Sequence, residues 1–442
     1  DMYNTAVGRE AGVAVTTGIQ NTLIGAKAGD ALTDADYNVA LGYEALSADT
    51  LGSRNTALGY ATLAAQNFTT ATDVYNTAVG FHAGNAVTTG IKNVLIGGLA
   101  GDAITDADYN VAVGHNALTA NVLGSNSVAV GYTTLESQNP ATAVNMYNTA
   151  VGHAAGYAVT TGLYNVLIGG LTGDALTDAD ENVAVGTSAL GADTLGSKST
   201  AIGASALNAQ NFTTATDTYN VAVGYYAGVA VTTGQYNTLI GGLAGDSITT
   251  GDHNVALGVS CLQANTTANK NVALGSNALS SFNVTTDTDT YNTAVGYAAG
   301  TAVSTGVQNT LIGGISGDAL TGGYYNVALG HSSLTSDTVG YGSVSIGTGT
   351  LAAQNFTTAT WTYNTAVGYG TGAAITTGKN NTLIGGLAGD ALTDADANVA
   401  VGYLSLTADT LGSKSIAIGQ QALTTQNFTT ATDAHNIAIG YQ

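Results

Sequence analysis

The apolar positions of this chain recur in a five-residue phrase. Asn4-Thr5-Ala6-Val7-Gly8 returns as Asn21-Thr22-Leu23-Ile24-Gly25, Asn38-Val39-Ala40-Leu41-Gly42 and Asn55-Thr56-Ala57-Leu58-Gly59. There are 25 copies up to Asn436-Ile437-Ala438-Ile439-Gly440, with Ser in place of the leading Asn at Ser127, Ser199, Ser343 and Ser415. Successive copies lie 17, 17, 17 and 21 residues apart, and this 72-residue cycle runs six times before a partial seventh. So few apolar residues between Asn and Gly make no helical stripe, and Val, Ile, Leu and Thr favour extended chain, so each copy predicts a short strand. Strands arriving at fixed intervals stack in parallel, about 4.8 Å apart. The pattern therefore predicts an all-β protein: one continuous parallel β-solenoid over residues 1–442 with 25 stacked coils. The leading Asn can bond local backbone at a corner, and the closing Gly permits a left-handed turn there.

Alternation divides each strand into two faces. Thr5 and Val7, Thr22 and Ile24, Val39 and Leu41 share one face, expected to point into the coil. The third position of the phrase then points outward. It holds Ala6, Leu23, Ala40, Ala57, Ala78 and Leu95, and no copy carries a charge there. Strands apolar on both faces are usually covered on both. A single stack has nothing of its own for the second face, so those six residues are expected at an interface between copies of the chain.

Asn126-Ser127-Val128-Ala129-Val130-Gly131 and Ser415-Ile416-Ala417-Ile418-Gly419 resemble the head repeat of trimeric autotransporter adhesins (YadA-like heads), and similar repeats occur in tail fibres of bacterial viruses. The resemblance runs over the whole chain, with longer coils than the family's usual repeat. It implies a homotrimer of left-handed parallel β-rolls with the repeated strand facing the threefold axis. It also implies a place on a cell surface or in a virion fibre. No stalk, neck or membrane anchor is seen in the sequence.

The four residues added in every fourth coil fall within Ala64-Ala65-Gln66-Asn67-Phe68-Thr69-Thr70-Ala71-Thr72-Asp73, a polar, Thr-rich stretch expected to bulge as a loop. Asp1-Met2-Tyr3-Asn4 aligns with Asp73-Val74-Tyr75-Asn76, so the expectation is a window from a longer array, with capping and anchoring segments outside it.

Composition narrows the function. Eight basic against 29 acidic residues give a formal charge of −21, which excludes nucleic acid as a partner and disfavours an anionic membrane surface. Sixty Gly without a three-residue period exclude collagen. No apolar run reaches the length of a transmembrane helix. The single cysteine, Cys261, occupies the slot of Ala45, Ala117, Ala189, Ser333 and Ser405 and reads as a small core side chain.

Candidate chemistry is repetitive. Asp34, Asp36 and Asn38, and again Asp106, Asp108 and Asn110, set oxygens at alternate positions, a pattern able to bind Ca²⁺, although the Gly and distant Glu of an EF-hand loop are missing. Turn formation by Asp is the competing explanation. Asn67, Asn211, Asn283, Asn355 and Asn427 begin glycosylation sequons in the expected loop. Tyr columns stand before the strand (Tyr3, Tyr75, Tyr147) and after its Gly (Tyr43, Tyr60, Tyr132), either to shield corners or to stack on sugars. The six His show no catalytic or metal-ligand spacing, and no nucleophile elbow or phosphate loop is present. The expectation is a non-catalytic, extracellular, structural and adhesive fibre, partnered by itself and by a host-surface or glycan receptor. The alternatives are the shaft of a bacteriophage tail fibre and a carbohydrate-binding module built on repeated Tyr.

Overall fold

The structure is a computed structural model that describes residues 2–441. It comprises two compact units, Asp1–Tyr219 and Asn220–Gln442, the second starting at the fourth 72-residue block. No helix occurs among the described residues. In the first block, β1 (Thr5–Val7), β2 (Thr22–Ile24), β3 (Val39–Leu41) and β5 (Thr56–Leu58) carry the repeated phrase, while β4 (Gly52–Ser53) and β6 (Thr72–Asp73) frame the insert. The first unit holds twelve such three-residue strands and the second thirteen. All the recorded pairings are parallel and keep the phrase in register, as in Thr5↔Thr22, Ala6↔Leu23 and Val7↔Ile24, then Thr22↔Val39, Leu23↔Ala40 and Ile24↔Leu41. Each unit is a parallel β-solenoid, as the spacing predicts.

The inside and outside of the strand are the reverse of the expectation. Ala40 is fully buried, whereas Val39 and Leu41 beside it are 38 % and 47 % exposed. The same pattern, middle residue buried and flanking residues not, holds in every strand except the first and last. Leu23, Ala40, Ala57, Ala78 and Leu95 therefore belong to the coil interior of their own chain, and Ala6 is exposed only in the terminal coil. A period of two tells which residues share a face but not which face is inside, and a one-residue error inverts the assignment.

The interior explains the choice of Ala and Leu. In the first two coils of a block the return leg places Gly opposite the strand, and in the last two it places Leu. Ala40 and Ala57 are thus paired with Leu46 and Leu63, all fully buried. Leu95 instead faces Gly84 and Gly101; a Cβ on either would sit 2.6 or 2.8 Å from a Leu95 methyl. Large and small residues interdigitate along the coil axis to fill a narrow core without voids. The residues that flank the middle of each strand point away from this space and stand outside.

Polar groups form a second internal column. The leading asparagines are buried, and each bonds along the stack: the Asn21 N–H donates to Asn4 Oδ1 (2.8 Å) and Asn21 Nδ2 donates to the Ala35 carbonyl (2.7 Å). Asn38 repeats this toward Asn21 and Gly52. Side chains such as Asn21 and Asn38 thereby satisfy a backbone donor and a backbone acceptor that strand ladders leave over at the corner.

The closing Gly is required by its backbone. Gly97 has φ +141°, and a Cβ there would lie 2.3 Å from the Gly114 carbonyl oxygen. Non-glycine residues also take left-handed conformations two and four residues after the closing Gly, a feature no residue type signals: Glu44 (φ 55°) and Leu46 (φ 54°) are examples. Left-handed backbone costs about 1–2 kcal/mol per residue outside Gly. Here the alternation sends successive amides in opposite directions, Glu44 N–H to the Ala26 carbonyl of the preceding coil and Leu46 N–H to the Thr62 carbonyl of the following one. Hydrogen bonds to both neighbours offset that cost.

Candidate functional site

The strands turn a sheet face outward whose residues are Thr or Val (Ile in the last two copies) at one position and Val, Ile or Leu at the other. In the first unit it includes Val39 and Leu41, Val94 and Ile96, Val166 and Ile168; in the second, Val255 and Leu257, Val327 and Leu329, Thr382 and Ile384. Leu41, Ile96, Ile168, Leu257, Leu329 and Ile384 are all exposed. No copy places a charge on this face. Aliphatic residues in an unbroken column on both units far exceed the scattered apolar residues normal on a monomer's surface.

The insert gives a contrasting corner. Phe68 packs inward while Thr69, Thr70 and Ala71 are exposed, so the expected bulge is present but anchored at its base. The chain returns through β6, which pairs in parallel with β4. Behind Phe68 lies a buried carboxylate that sequence reasoning missed. Asp49 Oδ1 accepts from Gly52 N–H and Phe68 N–H (both 3.1 Å), and Oδ2 accepts from Gln66 Nε2 (2.6 Å). Burial pushes the Asp49 carboxyl above its ordinary value despite those donors, and Asp337 with Gln354 and Phe356 behaves the same way. The signal available in the sequence was the fixed Asp–Gln spacing: Asp49/Gln66, Asp193/Gln210, Asp337/Gln354 and Asp409/Gln426, with Asn121 and Asn265 in the other two blocks.

Across the insert, a residue before the phrase meets the last residue of the short return strand, and the pair is matched in every block. Arg54 pairs with Asp73 (2.8 Å), and Lys198, Lys270 and Lys414 pair with Asp217, Asp289 and Asp433 (each 2.5 Å). Asn126 donates to Asn145 Oδ1 (2.8 Å). In the fifth block Gly342 faces the ring of Trp361, where a Cβ would come to 3.2 Å. Three of these cations also sit over Tyr rings, Arg54 over Tyr37 at 4.9 Å, Lys198 over Tyr219 at 5.4 Å and Lys270 over Tyr291 at 5.3 Å. The Tyr columns stack along the axis, as in Tyr43–Tyr60 (5.4 Å), Tyr132–His153 (5.5 Å) and Tyr147–Tyr164 (5.6 Å).

The residues named for calcium are engaged by hydrogen bonds within the chain. Asp34 takes the Thr17 hydroxyl, Asp36 Oδ1 takes the Ile19 N–H (2.8 Å), and Asn38 is enclosed in the asparagine column. Asp106, Asp108 and Asn110 are likewise committed to Thr89, Ile91 N–H and the Gly124 carbonyl. One exposed, one half-buried and one enclosed side chain make no common cage. Among the described residues no group of three or more His, Cys, Asp or Glu is placed to hold a metal ion. The Asp residues serve as inter-coil caps.

Asn67, Asn211, Asn355 and Asn427 are exposed at the insert, and Asn283 is half-buried. Asn67 Oδ1 accepts from the Thr50 hydroxyl at 3.1 Å, which orients the amide from the preceding coil. Cys261 is fully buried, its Sγ donating to the Gly258 carbonyl at 2.9 Å, and burial pushes the thiol up to about 12. No helix among the described residues is long and apolar enough to cross a membrane. No protein-family model matches the chain, and none of the curated proteins compared with it matches.

Proposed function

We propose that this chain is a non-catalytic segment of an extracellular fibre that assembles as a homotrimer, the copies packing through their outward sheet faces. The observation that carries this is the uncharged column of Val, Ile, Leu and Thr on both units. Apolar area gains about 25 cal/mol per Å² when removed from water, and a column that repeats on every coil adds that gain coil by coil. A second copy presents the same column at the same axial spacing, so it is the simplest cover. The resemblance to trimeric adhesin heads supplies the number three and the surface location, and a viral tail-fibre shaft would use the same packing.

Sedimentation equilibrium and native mass measurement test it. The expected result is a species of three times 43.7 kDa that persists at nanomolar concentration. A soluble, folded monomer at micromolar concentration would overturn the assignment. A glycan-binding role rests on the broad exposure of Tyr297 (64 %) and Tyr369 (68 %). Its support would be glycan-array binding that Tyr369→Ala removes.

A further inference from the structure

In the first unit one bay departs from the repeat. Its volume is about 440 Å³, and Asn116, Tyr132, Glu136, His153, Tyr157 and Asp174 line it. Counted from the closing Gly of each coil, Tyr132 and His153 are first residues and form one stacked wall (5.5 Å). Thr133 and Ala154 are second residues and make a floor of small side chains. Glu136, Tyr157 and Asp174 are fifth residues of three successive coils and make the opposite wall. Two ladder steps therefore separate the Glu136 and Asp174 positions, roughly 10 Å, with Tyr157 between them.

Two buried acceptors here have no donor, and Asp174 lacks the Thr hydroxyl that three other residues of its column accept. Glu136 Oε2 and Asn116 Oδ1 are buried oxygens with no hydrogen-bond partner. In the column of Asp174, Asp102 accepts from the Thr119 hydroxyl (2.6 Å), and Asp318 and Asp390 accept from Thr335 and Thr407. Beside Asp174 the matching residue is Gly191. No Lys or Arg lines the bay. The slot of Glu136 holds Ala64, Asn208, Ser280, Ala352 and Thr424 in the other blocks, and only this block puts Tyr at the slot of Tyr157. Buried acceptors left unpaired are costly and call for a donor.

We propose that this bay binds a linear aliphatic diammonium. One ammonium sits against Glu136 and Asn116, the other against Asp174, and the methylene chain lies over Tyr157. An ammonium supplies donors and charge together, and gains further from the neighbouring rings. Two carboxylates roughly 10 Å apart cannot share one Ca²⁺, whose ligands lie at about 2.3–2.6 Å. An uncharged sugar would leave both carboxylates without a counter-charge.

Isothermal titration of the full chain in about 0.15 M NaCl, where diffuse surface attraction is screened, tests this with 1,6-diaminohexane as the probe. The expected result is one site per chain, with 1,3-diaminopropane at least tenfold weaker because it cannot span both carboxylates. Glu136→Ala, the residue found at Ala64 and Ala352, is expected to weaken binding at least tenfold without lowering the temperature of thermal unfolding. Gly191→Thr, which returns a hydroxyl to Asp174, weakens it several-fold. Absence of binding, equal affinity for the two diamines, full affinity in Glu136→Ala, or displacement of the diamine by stoichiometric Ca²⁺ would each overturn the proposal.

Discussion

The outward sheet face and the insert corner vary from block to block in different ways. On the face the copies vary only within an uncharged set, Thr, Val or Ile at one position and Val, Ile or Leu at the other, and the third coil keeps Val39, Val111, Val183, Val255, Val327 and Val399 throughout. At the corner the residues change from block to block, but always in pairs: Arg54 with Asp73, Asn126 with Asn145, Gly342 with Trp361. Matched change means that each corner residue is answered by another residue of the same chain. An uncharged face whose residues vary without such pairing is what the proposed packing between copies requires. The corner is closed chemistry, and the face is open.

Charging the face should have the largest effect. Val111→Lys, Val113→Lys, Val128→Lys and Val130→Lys together put four ammonium groups on adjacent coils whose side chains point outward. Burying unpaired charge costs several kcal/mol per ion, so the assembly is expected to fall to monomer in sedimentation equilibrium. Far-ultraviolet circular dichroism should stay that of a β-solenoid, because these side chains contribute nothing to the coil interior. An unchanged oligomer would show that the copies meet elsewhere.

The core responds differently. Leu95→Ala removes the side chain that fills the space over Gly84 and Gly101, and is expected to cost about 2–5 kcal/mol in stability. Asn93→Ala leaves the Asn110 N–H, which donates to Asn93 Oδ1 at 2.9 Å, without an acceptor, at about 1–3 kcal/mol. Chemical denaturation measures both, and neither should alter the oligomer.

These sites mark what the sequence could tell. Strand length, parallel register and the insert were legible because each repeats at fixed spacing. The direction of the faces was not, because Ala and Val are both apolar and only the width of the coil decides between them. Reading Gly84 opposite Leu95, and Leu63 opposite Ala57, would have settled it: a residue that alternates in size with another across the coil must share its interior. The left-handed Glu44 and Leu46 were illegible because ladder bonds, rather than residue type, impose that conformation. The aliphatic column as a surface needing cover survived the inversion, on the other set of residues.

A smaller effect tests whether the insert is closed chemistry at its root. Burial raises the Asp49 and Asp337 carboxyls, so the folded state binds protons more readily than the unfolded chain. The stability this contributes is fully present below the ordinary carboxylate value of 3.8 and is lost as pH rises through the folded value. Asn121 and Asn265 show that an amide is accepted in this slot. The double variant Asp49→Asn, Asp337→Asn should therefore unfold at a higher temperature than the parent at pH 7, with the difference closing toward pH 4. A difference that grows on acidification would mean that the donors from Gln66, Phe68 and Gly52 outweigh burial.

The smallest effect belongs to the exposed corner pairs, and it sharpens the comparison most. Lys198 and Asp217 meet at 2.5 Å, but both are well exposed, and water and salt screen such a pair so that its coupling is slight. A double-mutant cycle on Lys198→Ala and Asp217→Ala should return a coupling near the error of the measurement, and less at high salt. Lys198→Gly with Asp217→Trp rebuilds the Gly342–Trp361 arrangement in the third block. If the corner is answered within the chain, this transplant should unfold at the parent's temperature, whereas Asp217→Trp alone should unfold lower because Lys198 then loses its counter-charge and the ring lacks the open glycine surface. Equal unfolding temperatures for the single and double variants would show that the block-by-block matching carries no energy. The paired variation at the corner could then no longer be set against the uncharged face as evidence of an internal partner.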